Sequence, residues 1–479
     1  MDNSSQQNPL ISKEDILLGQ HSPFITSMRL NMPGFIFALI HAFQDSVDLY
    51  FIKKGYGTNG ITVVSITGII RMLVASFSSC EFQGITKKFS ELFAKHDKQA
   101  INELFVEVFR FNLIYAVFMT TLILSITKPL ISKMGIPDSL LDDGRSYLLP
   151  ISFLPLFVST LHLCTGVLLA SGRSIISYLM LLLVMTISLS SDPLLIYAFK
   201  LDLKWIGFAF ASGPSIVSTV LFILFISNAF TMVTPKWSAF VKKPSSHFWS
   251  LIKLMLPSLN TTAFGCLSPI LFSMLLKRST LETGNSAKIC SVYSTTMKVF
   301  QIMVVCINNG LAGLIPSATY ALHKKNTNRA IKVVAWSLLL PLIAVVTISL
   351  IMVASPYTIM KIWINDEVMV SYIPKISPIP FYSSLLEPFI QMFIALAIVF
   401  NRGVLASICP VVKVSALIGS AALFSKYSKS NPLLILHSYN IQDILNFLCS
   451  LTVFIISLKR YRIMYKLEDN NLIQEMIPN

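Results

Sequence analysis

The sequence predicts an all-α polytopic membrane protein, with twelve transmembrane helices in two pseudo-symmetric six-helix lobes, and three observations carry that expectation. Of its 479 residues 54% are hydrophobic and only 13% charged, with a mean hydropathy of +0.68; average soluble domains carry about twice that charged fraction. Uncharged, mostly apolar runs such as 175–191 and 338–354 are as long as a short membrane helix, roughly 17–25 residues, and longer than the roughly 10 alternating residues of a barrel strand. Two stretches of the first half also recur in the second. A soluble globular protein, a disordered chain and a secreted disulfide scaffold are thereby excluded. Lipid offers no partner to backbone N–H and C=O groups, so the apolar runs must be helices.

Apolar windows place the spans at 24–52, 60–84, 105–127, 147–170, 174–198, 205–229, 249–276, 288–314, 332–354, 377–401, 404–424 and 438–458. Residues 1–23 form a polar tail without the apolar core of a cleavable signal peptide, and 459–479 form a second tail. Lys and Arg are more frequent on the side where both tails lie, which predicts cytoplasmic termini. The polar stretch 231–248, with Pro235 and Pro244, links an N-terminal lobe at 24–230 to a C-terminal lobe at 249–458.

The internal echoes support that division. Gly84 leads through a basic turn containing His96 into Ala100-Ile101, and Gly313 leads through a turn containing His323 into Ala330-Ile331. Ser191 to Ile196 (Ser-Asp-Pro-Leu-Leu-Ile) matches Ser430 to Ile435 (Ser-Asn-Pro-Leu-Leu-Ile). Duplicated lobes are how transporters place a substrate site at an internal interface. The seven cysteines fall mainly in apolar segments without paired short spacings, so they read as small core residues. The net charge of +15 reads as loop charge that sets orientation, not as a nucleic-acid surface.

Several motifs resemble the multidrug and toxic compound extrusion (MATE) family of the MOP superfamily. They are Leu30-Asn31-Met32-Pro33 followed by Asp45 and Asp48, Asp192-Pro193-Leu194-Leu195-Ile196-Tyr197 with Ala170-Ser171-Gly172 upstream, Gly207 to Ser212, and the turns Lys95 to Ala100 and Lys325 to Ala330. The likeness spans roughly 25–460. Departures accompany it: Ser188 stands where many members have Asn, Asp45 where Asn is usual, Gln44 where some have Tyr, and the seventh span has no carboxylate between Leu251 and Lys277. The resemblance implies that Asp48, Asp192, Ser188 and Ser212 surround one polar pocket of the N-terminal lobe. Protonation there would bend the first helix at Pro33.

The chemistry of these side chains stands beside the resemblance. Ionisable groups inside spans are costly unless paired or hydrated, so each is a functional candidate. Asp45 and Asp48 lie three apart on one helix face, with Gln44 on the same side. Two carboxylates in one dry site cannot both ionise cheaply, so one can trade a proton, or the site can offer oxygen ligands to Na⁺. Pro193 frees the Leu189 carbonyl beside Asp192 and Ser188, a possible hinge. Glu387, followed by Pro388 in an apolar run, is expected to face a substrate cavity with Gln44 and Gln301, and Lys298 and Arg71 are candidates to pair with Glu387 or Asp48. Left unpaired in the cavity, those two cations would favour an anionic substrate.

No P-loop, dinucleotide fingerprint, metal-binding spacing or nucleophile motif occurs. The expected protein is therefore not an enzyme and needs no cofactor beyond H⁺ or Na⁺ as coupling ion, with a possible Na⁺ site at Asp48 and Asp192 and no other metal. The reading is a monomeric antiporter that exports small organic, mostly cationic, drugs or toxins, in the plasma membrane rather than a vacuolar one. A lipid-linked oligosaccharide flippase of the same superfamily is the nearest rival, and a non-transporting receptor or scaffold is the rival from another class.

Overall fold

A computed structural model describes residues 15–133, 140–230, 232–281, 284–362, 364, 366–427 and 431–476, and these contain helices and no strand. Helix α1 (Pro23–Ser79) is one continuous run broken at Gly57, whose φ of 63° and ψ of −150° suit a residue without Cβ. That break separates the first two predicted spans. The second continues past a turn at Cys80 and Glu81 into α2 (Phe82–Lys95), which extends beyond residue 84. The third is α3 (Lys98–Lys133), and the fourth is split into α4 (Leu141–Ile151) and α5 (Leu154–Ala170) where Pro150 and Pro155 interrupt the hydrogen-bond ladder. Helices α6 (Ser174–Pro193) and α7 (Leu203–Ile226) complete the first half.

In the second half α8 (Ser246–Ser279) starts on Ser245, whose hydroxyl accepts the Phe248 N–H. Helices α9 (Ser286–Gly310) and α10 (Leu314–His323) form the eighth span, and α11 (Thr327–Ser337) with α12 (Leu339–Ala354) the ninth. A short α13 (Tyr357–Met360) precedes α14 (Glu367–Ile376) and α15 (Glu387–Val399), then α16 (Gly403–Ala406), α17 (Ile408–Tyr427) and α18 (Ser438–Met476). Among the described residues ten helical stretches are individually long and apolar enough to cross a membrane. The other two of the twelve predicted spans fall on the second part of α1 with α2, and on α8.

The two echoing turns share a conformation. His96 after α2 and Lys325 after α10 both enter the left-handed region, with φ of 55° and 56°. Buried apolar side chains gather in two large clusters, one drawn from 85–251 and the other from 254–453. Lipid supplies no hydrophobic drive between helices, so close approach depends on small residues. A Cβ on Gly207 would lie 2.2 Å from the Tyr147 carbonyl oxygen, and one on Gly213 2.3 Å from that of Val184, which binds α7 to α4 and α6. The six described cysteines are free thiols.

Candidate functional sites

In the N-terminal half, α6 runs to Pro193 and then widens into a π-helical turn, Leu194–Ala198, absorbing the missing N–H of the proline. Asp192, at 5% exposure, is buried at that transition. Ser188 lies one turn earlier, also buried, and donates to the Phe210 carbonyl at 3.3 Å. Ser191 and Ser212 link α6 to α7 at 3.3 Å, and Ser212 donates to the Ala209 carbonyl at 2.7 Å. Asp192 is near enough to Tyr56 to interact with it electrostatically, and the Tyr56 hydroxyl donates to the Leu201 carbonyl. Ser188, Asp192 and Ser212 thus share the α6–α7 seam, while the side chains of Asp45, Asp48 and Arg71 lie outside the described residues. Gln44 is buried within packed protein. Pro33 stands inside an uninterrupted stretch of α1.

The C-terminal half holds a denser polar cluster. Pro378 and Pro380 prevent the predicted 377–401 span from forming one helix, so the chain passes through short 3₁₀ turns, Ile379–Phe381 and Ser384–Leu386, before α15. Glu387 therefore opens α15, with Pro388 in its first turn, rather than sitting mid-helix as the apolar run suggested. It is 1% exposed, and its Oε1 accepts from Lys413 Nζ at 2.5 Å and Gln391 at 3.4 Å, while Oε2 has no hydrogen-bond partner. The equally buried Asp443 accepts from Ser383 at 2.6 Å and Gln442 at 2.9 Å, and its charge also acts on Lys413. Tyr293 and Tyr439 join hydroxyls at 2.6 Å beside it.

Lys413, and not the expected Lys298, is thus the described partner of Glu387, while Arg71 and Asp48 lie outside the described side chains. The 26-residue separation of the pair leaves no local pattern to read. Lys298 and Gln301 instead lie on an exposed stripe of α9 with Ser291 and Ser294, at spacings of three and four that keep one face. Among the described residues Lys298 forms no ion pair. That stripe begins just beyond the point where Phe35 and Ala38 of α1 pack on Ile302, Val305 and Cys306 of α9.

On the other side of this packing, toward the chain termini, the two halves are closed together. Asn31 of α1 donates to Ser337 at 3.1 Å and accepts the Gly313 N–H at 2.7 Å. Lys87 and Lys88 of α2 bind Glu91 at 2.9 and 3.2 Å, and Lys87 also donates to Asn401 of the other half. There, in the part of α2 beyond the predicted span, burial lowers the Lys87 ammonium to about 8 against the pull of Glu91. Burial would raise the Glu91 carboxyl, but Lys87 and Lys88 outweigh it and hold the group below the ordinary range. A π-helical strap, Asp15–Gln20, lies across the closure. Asp15 reaches His96 at 3.6 Å and Lys324 at 3.3 Å, and Arg329 donates to the Leu18 and His21 carbonyls and to Thr26 at 2.7–2.9 Å.

This fold is shared with known structures. A MOP superfamily transporter from Pyrococcus furiosus, described as having a binding pocket of reverse polarity, superposes with a TM-score of 0.83 at 16% identity, over 94% of this chain and 98% of that one. A MATE in complex with MaL6 gives 0.83 at 15% identity, over 95% and 99%. An outward-facing multidrug resistance MATE family transporter of the MOP superfamily gives 0.82 at 15%, over 94% and 98%.

The chain has the MATE transporter fold.

No protein-family model and no curated protein matches the sequence. Within this MATE fold the described residues include no group of three or more His, Cys, Asp or Glu arranged to hold a metal ion. Sequence reasoning passed over Glu81, Lys413 and Asp443, although all three stand inside predicted spans, where an ionisable group is itself the signal.

Proposed function

We propose that the protein is a secondary active antiporter that moves organic compounds out of the cytoplasm in exchange for H⁺ or Na⁺ by alternating access. The observation that carries this reading is that two halves of one membrane bundle meet through separable polar contacts at one end while α9 presents an open polar stripe beyond them. Polar side chains on an uncovered face of a membrane helix are tolerated where that face borders water, so the stripe suits the wall of a cleft between the lobes. The closed end carries the termini and is read as cytoplasmic, in the plasma membrane.

Asp48 and Asp192 remain the proposed coupling carboxylates, with Ser188 and Ser212 sharing the α6–α7 seam with Asp192 and hinges at Pro33 and Pro193. A single ligand can shift the lobe equilibrium only by its differential affinity for the two states, typically about 1–3 kcal/mol of coupling. The experiment is gradient-driven transport in proteoliposomes, with Asp48→Asn expected to abolish ion-coupled efflux while expression stays intact. Normal efflux by that variant would remove the first-helix carboxylate from the mechanism.

One observation favours a second reading in which the cargo is anionic, including a lipid-linked oligosaccharide. Lys298 stands open on the α9 stripe, and Glu387, the acid expected to attract cations, already has Lys413. Paired cationic and anionic test compounds decide between them, and Lys298→Gln should weaken transport of the anion alone.

A further inference from the structure

Glu81 is a buried carboxyl that the proposed coupling site does not use and that no described cation pairs. It sits in the turn between α1 and α2, 3% exposed, and caps α2 with its backbone in a helical conformation. Its one hydrogen bond is from the Asn112 amide of α3, Nδ2 to Oε1 at 3.0 Å. Asn112 is fully buried, and its Oδ1 has no partner. Among the described residues the other titratable groups that interact with Glu81 are neutral: Tyr115 on the same face of α3, Cys164 of α5 and Cys80 next to it. Among the described residues no Lys, Arg or His forms an ion pair with it.

A carboxylate in that setting is an uncompensated charge inside a membrane protein, facing an amide oxygen that is itself only an acceptor. Adding one proton resolves both faults. A protonated Oε2 donates to Asn112 Oδ1 while Oε1 keeps the Nδ2 hydrogen bond, forming a cyclic acid–amide pair in which each group both donates and accepts. We propose that Glu81 is a proton-binding site of the N-terminal half, occupied in this closed arrangement.

The site is also placed to feel the lobes move. Cys80 donates to Thr262 at 3.4 Å, and Gln83 accepts from Ser258 at 2.8 Å, so α8 of the other half covers the turn on both sides of Glu81. Separation of the halves at this end removes α8 and lets water reach the carboxyl, which then releases its proton to solvent. This second step rests on the alternating-access reading; the occupied proton site does not.

The test is infrared spectroscopy of the full-length purified protein. At neutral pH the wild type should show a protonated-carboxyl C=O band that is missing in Glu81→Gln and displaced in Asn112→Ala. Because glutamine can form the same cyclic pair, Glu81→Gln should also fold and melt like the wild type, which separates loss of the band from loss of structure. A band unchanged by Glu81→Gln overturns the site. Coupling is read in Thr262→Cys, which places a second thiol opposite Cys80. Oxidised, the seam is locked and the Glu81 band should persist as pH rises; reduced, it should be lost. The same titration in both states overturns the link to lobe separation while leaving the proton site standing. Failure of gradient-driven transport with the band intact would instead count against the antiporter reading alone.

Discussion

Glu81 in the first half and Glu387 in the second occupy similar positions: each stands at an interruption of a membrane-spanning helix and each is almost closed to solvent. Their partners differ. Glu387 meets the Lys413 ammonium at 2.5 Å, whereas Glu81 meets a neutral amide at 3.0 Å. One chain therefore holds two answers to the cost of a buried carboxylate: a tethered cation, and a proton that can come and go. The difference teaches where ion exchange is cheap. A lysine fixed to the same lobe cannot leave when the gradient reverses, but a proton can, so the first half is the better place to look for coupling.

The largest expected effect comes from removing the tethered cation. Lys413→Met leaves Glu387 and Asp443 buried without their ammonium, and breaking such a pair typically costs about 3–5 kcal/mol. Fluorescence-monitored melting in detergent should show a large loss, partly recovered by the double variant Lys413→Met with Glu387→Gln. If the single variant melts like the wild type, the contrast between the halves loses its basis. Next is the strap that closes the terminal end. Arg329→Ala removes three hydrogen bonds from one guanidinium to Leu18, His21 and Thr26, each charge-assisted bond contributing about 1.5–3 kcal/mol at most. Faster hydrogen exchange should appear over residues 15–26, with the C-terminal cluster unchanged. Ser383→Ala is the mildest, deleting one donor to Asp443 at a cost of about 1 kcal/mol, visible as a small fall in melting temperature and no change at Glu81.

How far the sequence carries can be judged from particular residues. Twelve spans were legible because each span is a local composition, and the Gly57 break falls in the gap left between two windows. The echoing turns at His96 and Lys325 were legible because the same short sequence pattern recurs and folds in the same left-handed way. The interruption before Glu387 was not read, although Pro378 and Pro380 announce it, because the apolar window runs over both. The long-range ion pair was not legible: Lys413 of α17 and Glu387 of α15 come together because both helices pack on α18. Glu81, Lys413 and Asp443 needed no alignment to be noticed, only the same rule already applied to Asp48 and Asp192. Asn31 bonds both Ser337 and Gly313 across the two halves, and neither its place in an apolar helix nor its place in the Leu30 to Pro33 motif named those partners.

Ion-driven antiport is the central claim, and one measurement tests it most directly: uptake of a fluorescent organic cation into inside-out vesicles under an imposed pH or Na⁺ gradient, for the wild type and Asp48→Asn, with an organic anion run in parallel. Gradient-driven uptake by the wild type that is lost in Asp48→Asn is the predicted result. The absence of gradient-driven uptake of either compound by well-folded wild-type protein would contradict it.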